Sequence, residues 1–158
     1  MRELKRKDIP QIEKLLRRLC VAGSFSAAEV ECALELIQIV LDQPDQEDYL
    51  VRVAEVEGAL VGYVLFGPVP LTSGTFDIYW IATDPQTHGQ GFGRRLLEVA
   101  EYEMQERGAR LICLETSSQG SYERTRSFYK NAGYLQESVI ADFYSPGDAR
   151  LTYVKRFS

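Results

Sequence analysis

Gly89, Gly91 and Gly93 stand at alternate positions in Asp84-Pro85-Gln86-Thr87-His88-Gly89-Gln90-Gly91-Phe92-Gly93-Arg94-Arg95-Leu96-Leu97, and lead into an amphipathic pattern of helical period. Glycine adopts positive φ and lets a ligand approach the backbone with no Cβ in the way. The first N–H groups of the helix that follows have no intrahelical acceptor and lie at its positive dipole end. A loop of this kind is a receptacle for a phosphate or pyrophosphate. Arg94 and Arg95 place guanidinium donors beside it.

The elements that must position this loop follow from the apolar periods. Asp8-Ile9-Pro10-Gln11 reads as a capping box, with Ile12, Leu15, Leu16 and Leu19 at helical spacing behind it. Ser26-Ala27-Ala28-Glu29 reads as a second box, opening a helix that carries Val30, Leu34, Ile37 and Leu41 before Pro44. From Tyr49 the period becomes that of strands. Tyr49–Val56 and Ala59–Phe66 are joined at Glu57-Gly58, and Thr75–Thr83 is a third β-rich run, stopped by Asp84-Pro85. The glycine loop and its helix end at Arg107-Gly108. Leu111–Thr116 is then a strand, residues 123–132 a helix closed by Gly133, and Tyr134–Ile140 and Leu151–Arg156 two final strands. The order α-α-β-β-β-α-β-α-β-β predicts one α/β domain over residues 1–158, with a mixed central sheet flanked by helices.

Composition narrows the partners. The 158 residues are 45% hydrophobic and 26% charged, as in ordinary globular domains, and the net charge of −5 gives no electrostatic case for nucleic acid or an anionic membrane. Cys20, Cys32 and Cys113 form no C-x-x-C pair and read as small buried residues in a reducing compartment. With a single histidine no metal site is expected. No leader-like or bilayer-spanning apolar run is present, so a cytoplasmic protein is expected.

Two phosphate-binding readings fit poorly. A dinucleotide fingerprint needs its third glycine one position after Gly93, and hairpins preceding the loop do not suit a doubly wound sheet, although Glu115 sits where the ribose-binding acid would fall. A P-loop needs a Gly-Lys-Ser/Thr that is absent.

The segment Thr83–Gly93 as a whole resembles the acyl-CoA loop of the GNAT superfamily of N-acetyltransferases, Gln/Arg-x-x-Gly-x-Gly/Ala preceded by Val-x-Pro. Pro85, Gly91 and Gly93 match; His88 replaces the Gln or Arg and Thr83 the Val. Glu123–Tyr134 resembles the family's second motif, a helix with a tyrosine shortly before Gly-Phe or Gly-Tyr. Tyr122 stands where many members have Asn. The element order agrees with the family fold from about Arg2 onward.

The resemblance implies transfer of an acetyl group from acetyl-CoA, as cosubstrate, to a primary amine of a small molecule, peptide or protein. It makes Tyr129 the group beside the CoA sulfur that protonates the departing thiolate. Backbone amides of Gly89, Gln90, Gly91, Phe92 and Gly93 would hold the pyrophosphate, with Arg94 rather than Arg95 assisting. His88 would lie beside the phosphates or in solvent, without a catalytic part. An N–H near Ile81, Ala82 and Thr83 would polarise the carbonyl. Such a transfer needs a neutral amine, and a lysine-like amine with pKa near 10.4 is charged at pH 7, so a base is required. Asp77, in the apolar run Phe76–Ala82, is the candidate: by period 2 it shares a face with Tyr79 and Ile81, and lost hydration raises its pKa. The resemblance adds that acids at this strand position serve as base, directly or through water, in some family members; an arginine-paired or exposed carboxylate is the alternative.

Glu31 and Glu35 share a helix face that borders the acceptor site in the family, or are simply solvated. The loop Asp142–Asp148 lines the acceptor pocket or is a plain turn. Cys113, in an apolar strand, is a poor nucleophile, so direct attack in a ternary complex is expected. Exposed edges at the C-terminal hairpin allow a homodimer. The alternatives are a catalytically silent CoA-binding module of the same fold and a dinucleotide-binding oxidoreductase.

Overall fold

Ser26 Oγ accepts from the Glu29 N–H at 3.2 Å, and Glu29 Oε2 accepts from the Ser26 N–H at 2.6 Å. This reciprocal box opens helix α2 (Ala27–Asp42) as the spacing predicts. The box expected at Asp8 does not form. Helix α1 (Ile9–Val21) starts there, but the Asp8 carboxylate turns back to the Lys5 N–H (2.8 Å) and to Arg2 Nη1 (2.7 Å). Gln11 instead accepts from the Leu60 N–H at 2.8 Å and ties α1 to the sheet. A charged partner from outside the helix outcompetes a local cap, which spacing alone cannot register.

The computed structural model describes residues 1–158 as seven strands, β1 (Arg2–Glu3), β2 (Leu50–Val56), β3 (Ala59–Pro68), β4 (Thr75–Thr83), β5 (Leu111–Ser117), β6 (Leu135–Ser145) and β7 (Asp148–Arg156). They form one sheet in the order β1-β2-β3-β4-β5-β7-β6, antiparallel except for the β4–β5 pair. Helices α3 (Phe92–Glu106) and α4 (Glu123–Asn131) complete the mixed α/β architecture. Strand β1 is an addition to the expected order, and the final hairpin is longer than expected, because β6 runs to Ser145 and β7 begins at Asp148.

Two cores lie on opposite faces. Ile12, Leu16 and Ile37 of α1 and α2 pack on Tyr63 and Leu65 of β3. Leu97 and Met104 of α3 pack on Phe66, Ile78 and Leu114 across β3, β4 and β5. Beyond them β6 is exposed along its whole length, including Val139, Ile140, Phe143 and Tyr144. The expected self-pairing edge is this strand.

One irregularity positions the site. Leu65 pairs with Trp80 and Phe66 with Ile78, so Tyr79 is an extra residue in β4. Such a bulge bends the strand and interrupts its alternation. On the far side of β4, pairing with β5 covers only Thr75↔Leu111, Phe76↔Ile112 and Asp77↔Cys113. Both strands continue, to Thr83 and Ser117, without further pairing. The sheet therefore opens into a wedge at the C-terminal ends of β4 and β5.

Candidate active site

The glycine loop sits at the mouth of this wedge. Gly89 and Gly91 both have φ +82°, a left-handed conformation that costs an L side chain roughly 1–2 kcal/mol. Gly91 is the N-cap of α3, and Arg95 N–H is the first to bond back into the helix, to Gly91 O at 3.0 Å. The amides of Phe92, Gly93 and Arg94 precede it, so they are the donors the helix itself does not use. Asp84 sets up the turn before the loop: its carboxylate accepts from the Gln86 N–H (2.9 Å), and its carbonyl accepts from Thr87 N–H and Oγ1–H (both 2.9 Å).

A cleft of about 500 Å³ runs from this loop along the C-terminal end of β4 to α4. Of the residues singled out for the donor, Ile81, Ala82, Thr83, His88, Gly89, Gly91, Phe92, Gly93 and Arg94 line it; Gln90 and Arg95 do not. His88 is exposed. Arg94 Nε is held by Glu98 Oε1 at 2.9 Å, whereas Arg95 lies 6.0 Å from the Phe92 ring centroid. Arg124 and Asn131 of α4 also line the cleft, as do Ser24 and Phe25 from the α1–α2 connection. None of these four was indicated by the sequence, because it is the chain crossing that brings them to the loop.

Tyr129 closes the inner end of the cleft. Its ring packs against Tyr134 (centroids 6.0 Å apart, edge-on) and Tyr153 (6.5 Å). Burial holds the phenol well above its ordinary pKa, so it stays protonated at neutral pH. Tyr134 is itself fixed, donating to Glu101 Oε1 at 2.9 Å, while Glu101 Oε2 accepts from Lys155 Nζ at 2.8 Å.

Asp77 stands elsewhere. Phe76 and Ile78 on either side point into the α3 core, so Asp77 projects from the opposite face. It does not line the cleft. It shares that face with Tyr79, which packs with the α1–α2 core, but not with Ile81, which packs with the other; the bulge at Tyr79 breaks the expected alternation. Burial, and then the charge of Glu115, raise the Asp77 carboxyl above its ordinary value. Tyr129 and Asp77 thus approach the wedge from opposite faces of the sheet.

Comparison with known proteins agrees with this geometry. Residues 11–134 match the model of the acetyltransferase (GNAT) family. The chain belongs to the GNAT acetyltransferase family. A solved protein from Desulfovibrio desulfuricans, assigned to that family, is 32% identical over 99% of this chain and 96% of its own, with a TM-score of 0.92. More distant structures share the GNAT fold: PaiA N-acetyltransferase from Thermoplasma acidophilum in complex with coenzyme A (20% identity, 99% and 97% coverage, TM-score 0.75), and the ribosomal-protein-S18-alanine N-acetyltransferase of Escherichia coli (20%, 99% and 92%, 0.75). A search of curated protein sequences finds no significant match.

The GNAT sheet is not the doubly wound parallel sheet that a dinucleotide site needs, since β4 has antiparallel β3 on one side and only three parallel pairs on the other. Glu31 and Glu35 are exposed and outside the cleft. The carboxylate of α2 that reaches the segment leading into α4 is Glu29, whose Oε1 accepts from Tyr122 O–H at 3.2 Å, outside the cleft lining. Burial first, then Glu29, push the Tyr122 phenol up to about 12. The capping box was the available signal for Glu29, but a box reports only a helix start. In the Asp142–Asp148 segment, Asp148 is buried against Ser117 Oγ, and the Phe143 ring lies under the Arg150 guanidinium at 4.4 Å. Burial first, then the charge of Glu115, raise the Tyr144 phenol above its ordinary value. No group of three or more His, Cys, Asp or Glu side chains is arranged to hold a metal, and no helix is long and apolar enough to cross a membrane.

Proposed function

We infer that this chain transfers an acetyl group from acetyl-CoA to a primary amine by direct attack in a ternary complex. The observation that carries the reading is the junction of the left-handed glycine turn, the unpaired edge of β4 and the buried Tyr129 phenol around one cleft. The neighbour solved with coenzyme A supports the same donor.

The residues divide the work by position. Amides of the loop and the first turn of α3 bind the pyrophosphate, each helix-end contact being worth about 0.3–2 kcal/mol. The edge of β4 at Ile81–Thr83 that β5 leaves free borders the pantetheine arm and polarises the thioester carbonyl. The acceptor enters from the face that carries Asp77. Asp77, directly or through a water, takes the proton the ammonium must lose, and the free amine nitrogen attacks the carbonyl carbon. As the C–S bond breaks, Tyr129 donates its proton to the sulfur; the tetrahedral nitrogen loses its remaining surplus proton through water to the phenolate left behind, and the products are the amide, CoA–SH and the proton that Asp77 releases to solvent. The thioester supplies only an activated acyl group; orientation and both proton transfers come from the chain. Glu29, Asp77 and Glu115 favour a cationic acceptor. Cys113 is held as a neutral thiol by burial, which argues against an acyl-enzyme. Three free thiols suit a reducing cytoplasm.

Calorimetric titration with CoA and NADH, followed by acetyl transfer from acetyl-CoA to a panel of di- and polyamines, amino acids, aminoglycosides and peptides, tests the reading. CoA binding with acetylation of at least one amine supports it. CoA binding without turnover on any amine assigns a silent CoA-binding module, and binding of NADH in place of CoA rejects the donor site.

A further inference from the structure

We propose that Arg18 is a positioning residue for the donor, acting through Asp84 rather than by contact. This rests on reading the cleft as the CoA site. Asp84 is 8% exposed, between β4 and the glycine loop. Its Oδ1 caps the Gln86 N–H and its Oδ2 accepts from Arg18 Nη1 at 2.7 Å, across 66 residues of sequence. Its own N–H donates to Val61 O at 2.8 Å. Asp84 is therefore the fixed point from which the turn to Thr87 and His88, both on the cleft wall, is built.

A carboxylate is an unexpected anchor there. It brings a negative charge to the base of a loop that has to receive a dianionic pyrophosphate, and like charges at this range repel. Arg18 cancels that charge while leaving the carboxylate its capping bond. Arg18 does not line the cleft, but Leu19 beside it does, as do Ser24 and Phe25 beyond the end of α1. The ion pair thus joins the loop wall of the cleft to the α1–α2 wall, and a ligand that touches both binds to walls already set in place. The pair combines neutralisation with alignment, and the two can be separated because asparagine at 84 keeps an oxygen for the Gln86 N–H.

The test is CoA affinity by calorimetry for the parent, Arg18→Gln, Arg18→Lys, Asp84→Asn and the double variant Arg18→Gln/Asp84→Asn, at low and high salt, with melting temperatures measured alongside. Arg18→Gln is expected to weaken CoA about tenfold at low salt, less at high salt where exposed charges are screened. Arg18→Lys is expected to keep most of the affinity, and Asp84→Asn to bind at least as tightly as the parent. The double variant, which removes both charges, is expected to return towards parental affinity, an outcome that a pair acting only as a tie between the two walls would not give, and the melting temperatures show whether Arg18→Gln loses affinity without losing the fold. KM for acetyl-CoA should follow the same order with kcat unchanged. Unaltered affinity in Arg18→Gln, or a double variant no better than Arg18→Gln, overturns the proposal. A parent that does not bind CoA fails the donor reading itself, which separates the two.

Discussion

Asp77 and Cys113 are the last Cα partners of the parallel β4–β5 ladder, and beyond them the two strands run on without pairing to each other. The carboxylate at this vertex lies on the face opposite Tyr129, so a carboxyl and a phenol flank the opening. Replacing Asp77 by Asn should lower kcat by about 10²–10⁴, the usual worth of a positioned base, with CoA affinity retained. Steady-state rates and CoA titration on the same variant check both halves.

The pH profile gives an independent handle. Asp77 must be ionised to act, and Glu115 contributes to its raised pKa. Removing that charge with Glu115→Gln favours ionisation, so the acidic limb of kcat/KM should move to lower pH. The folded carboxyl lies above its ordinary value of 3.8, so its contribution to stability is complete below that value and declines as pH rises through the folded pKa. Asp77→Asn should accordingly raise the melting temperature at pH 7 and give no gain near pH 3. A limb that does not move in Glu115→Gln would remove Asp77 from the titrating step.

Tyr129→Phe keeps the ring that packs on Tyr134 and Tyr153 and deletes only the hydroxyl. Loss of the acid should cost about 10²–10⁴ in kcat while the melting temperature stays close to the parent's. Thioester analogues with a better leaving thiol should recover much of the rate. Equal losses for good and poor leaving groups would assign the hydroxyl a different role.

Gly91 and Gly93 should respond in opposite ways. Gly91 has φ +82°, so Gly91→Ala strains the N-cap of α3 by about 1–2 kcal/mol and should weaken CoA. Gly93 lies inside the helix, and an added Cβ would meet Phe128 at 3.6 Å and Thr83 at 3.7 Å, ordinary contact distances. Gly93→Ala should gain up to about 1 kcal/mol of helix propensity and still bind CoA. Melting curves with and without CoA distinguish the two.

Arg2 and Asp8 tie the N-terminal strand to α1, and the Asp8 side chain is almost wholly buried. Arg2→Ala strands that carboxylate and should cost about 3–5 kcal/mol. Arg2 holds the Asp8 carboxyl below 3.8, so the pair contributes fully above that pH and its contribution is lost as pH falls through the folded value. Denaturant titrations at pH 7 and pH 3 should show the gap between parent and variant closing at the lower pH.

Local patterns carried much of this protein. The two main helices, the Glu57-Gly58 hairpin, the strand Thr75–Thr83 and the glycine loop were legible because each rests on spacing within a few residues. The same holds for the loop residues that line the cleft, which lie next to one another in the chain. What reaches across the chain was not legible. The bulge at Tyr79 that turns Ile81 away from Asp77, the wedge beyond Cys113, the Arg18–Asp84 ion pair and the contact from Glu29 to Tyr122 each join segments far apart in sequence. Periodicity reports which face of an element is apolar, but not which element covers it or where a ladder stops. Those depend on how the two cores pack against a single twisted sheet, and only the tertiary structure decides them.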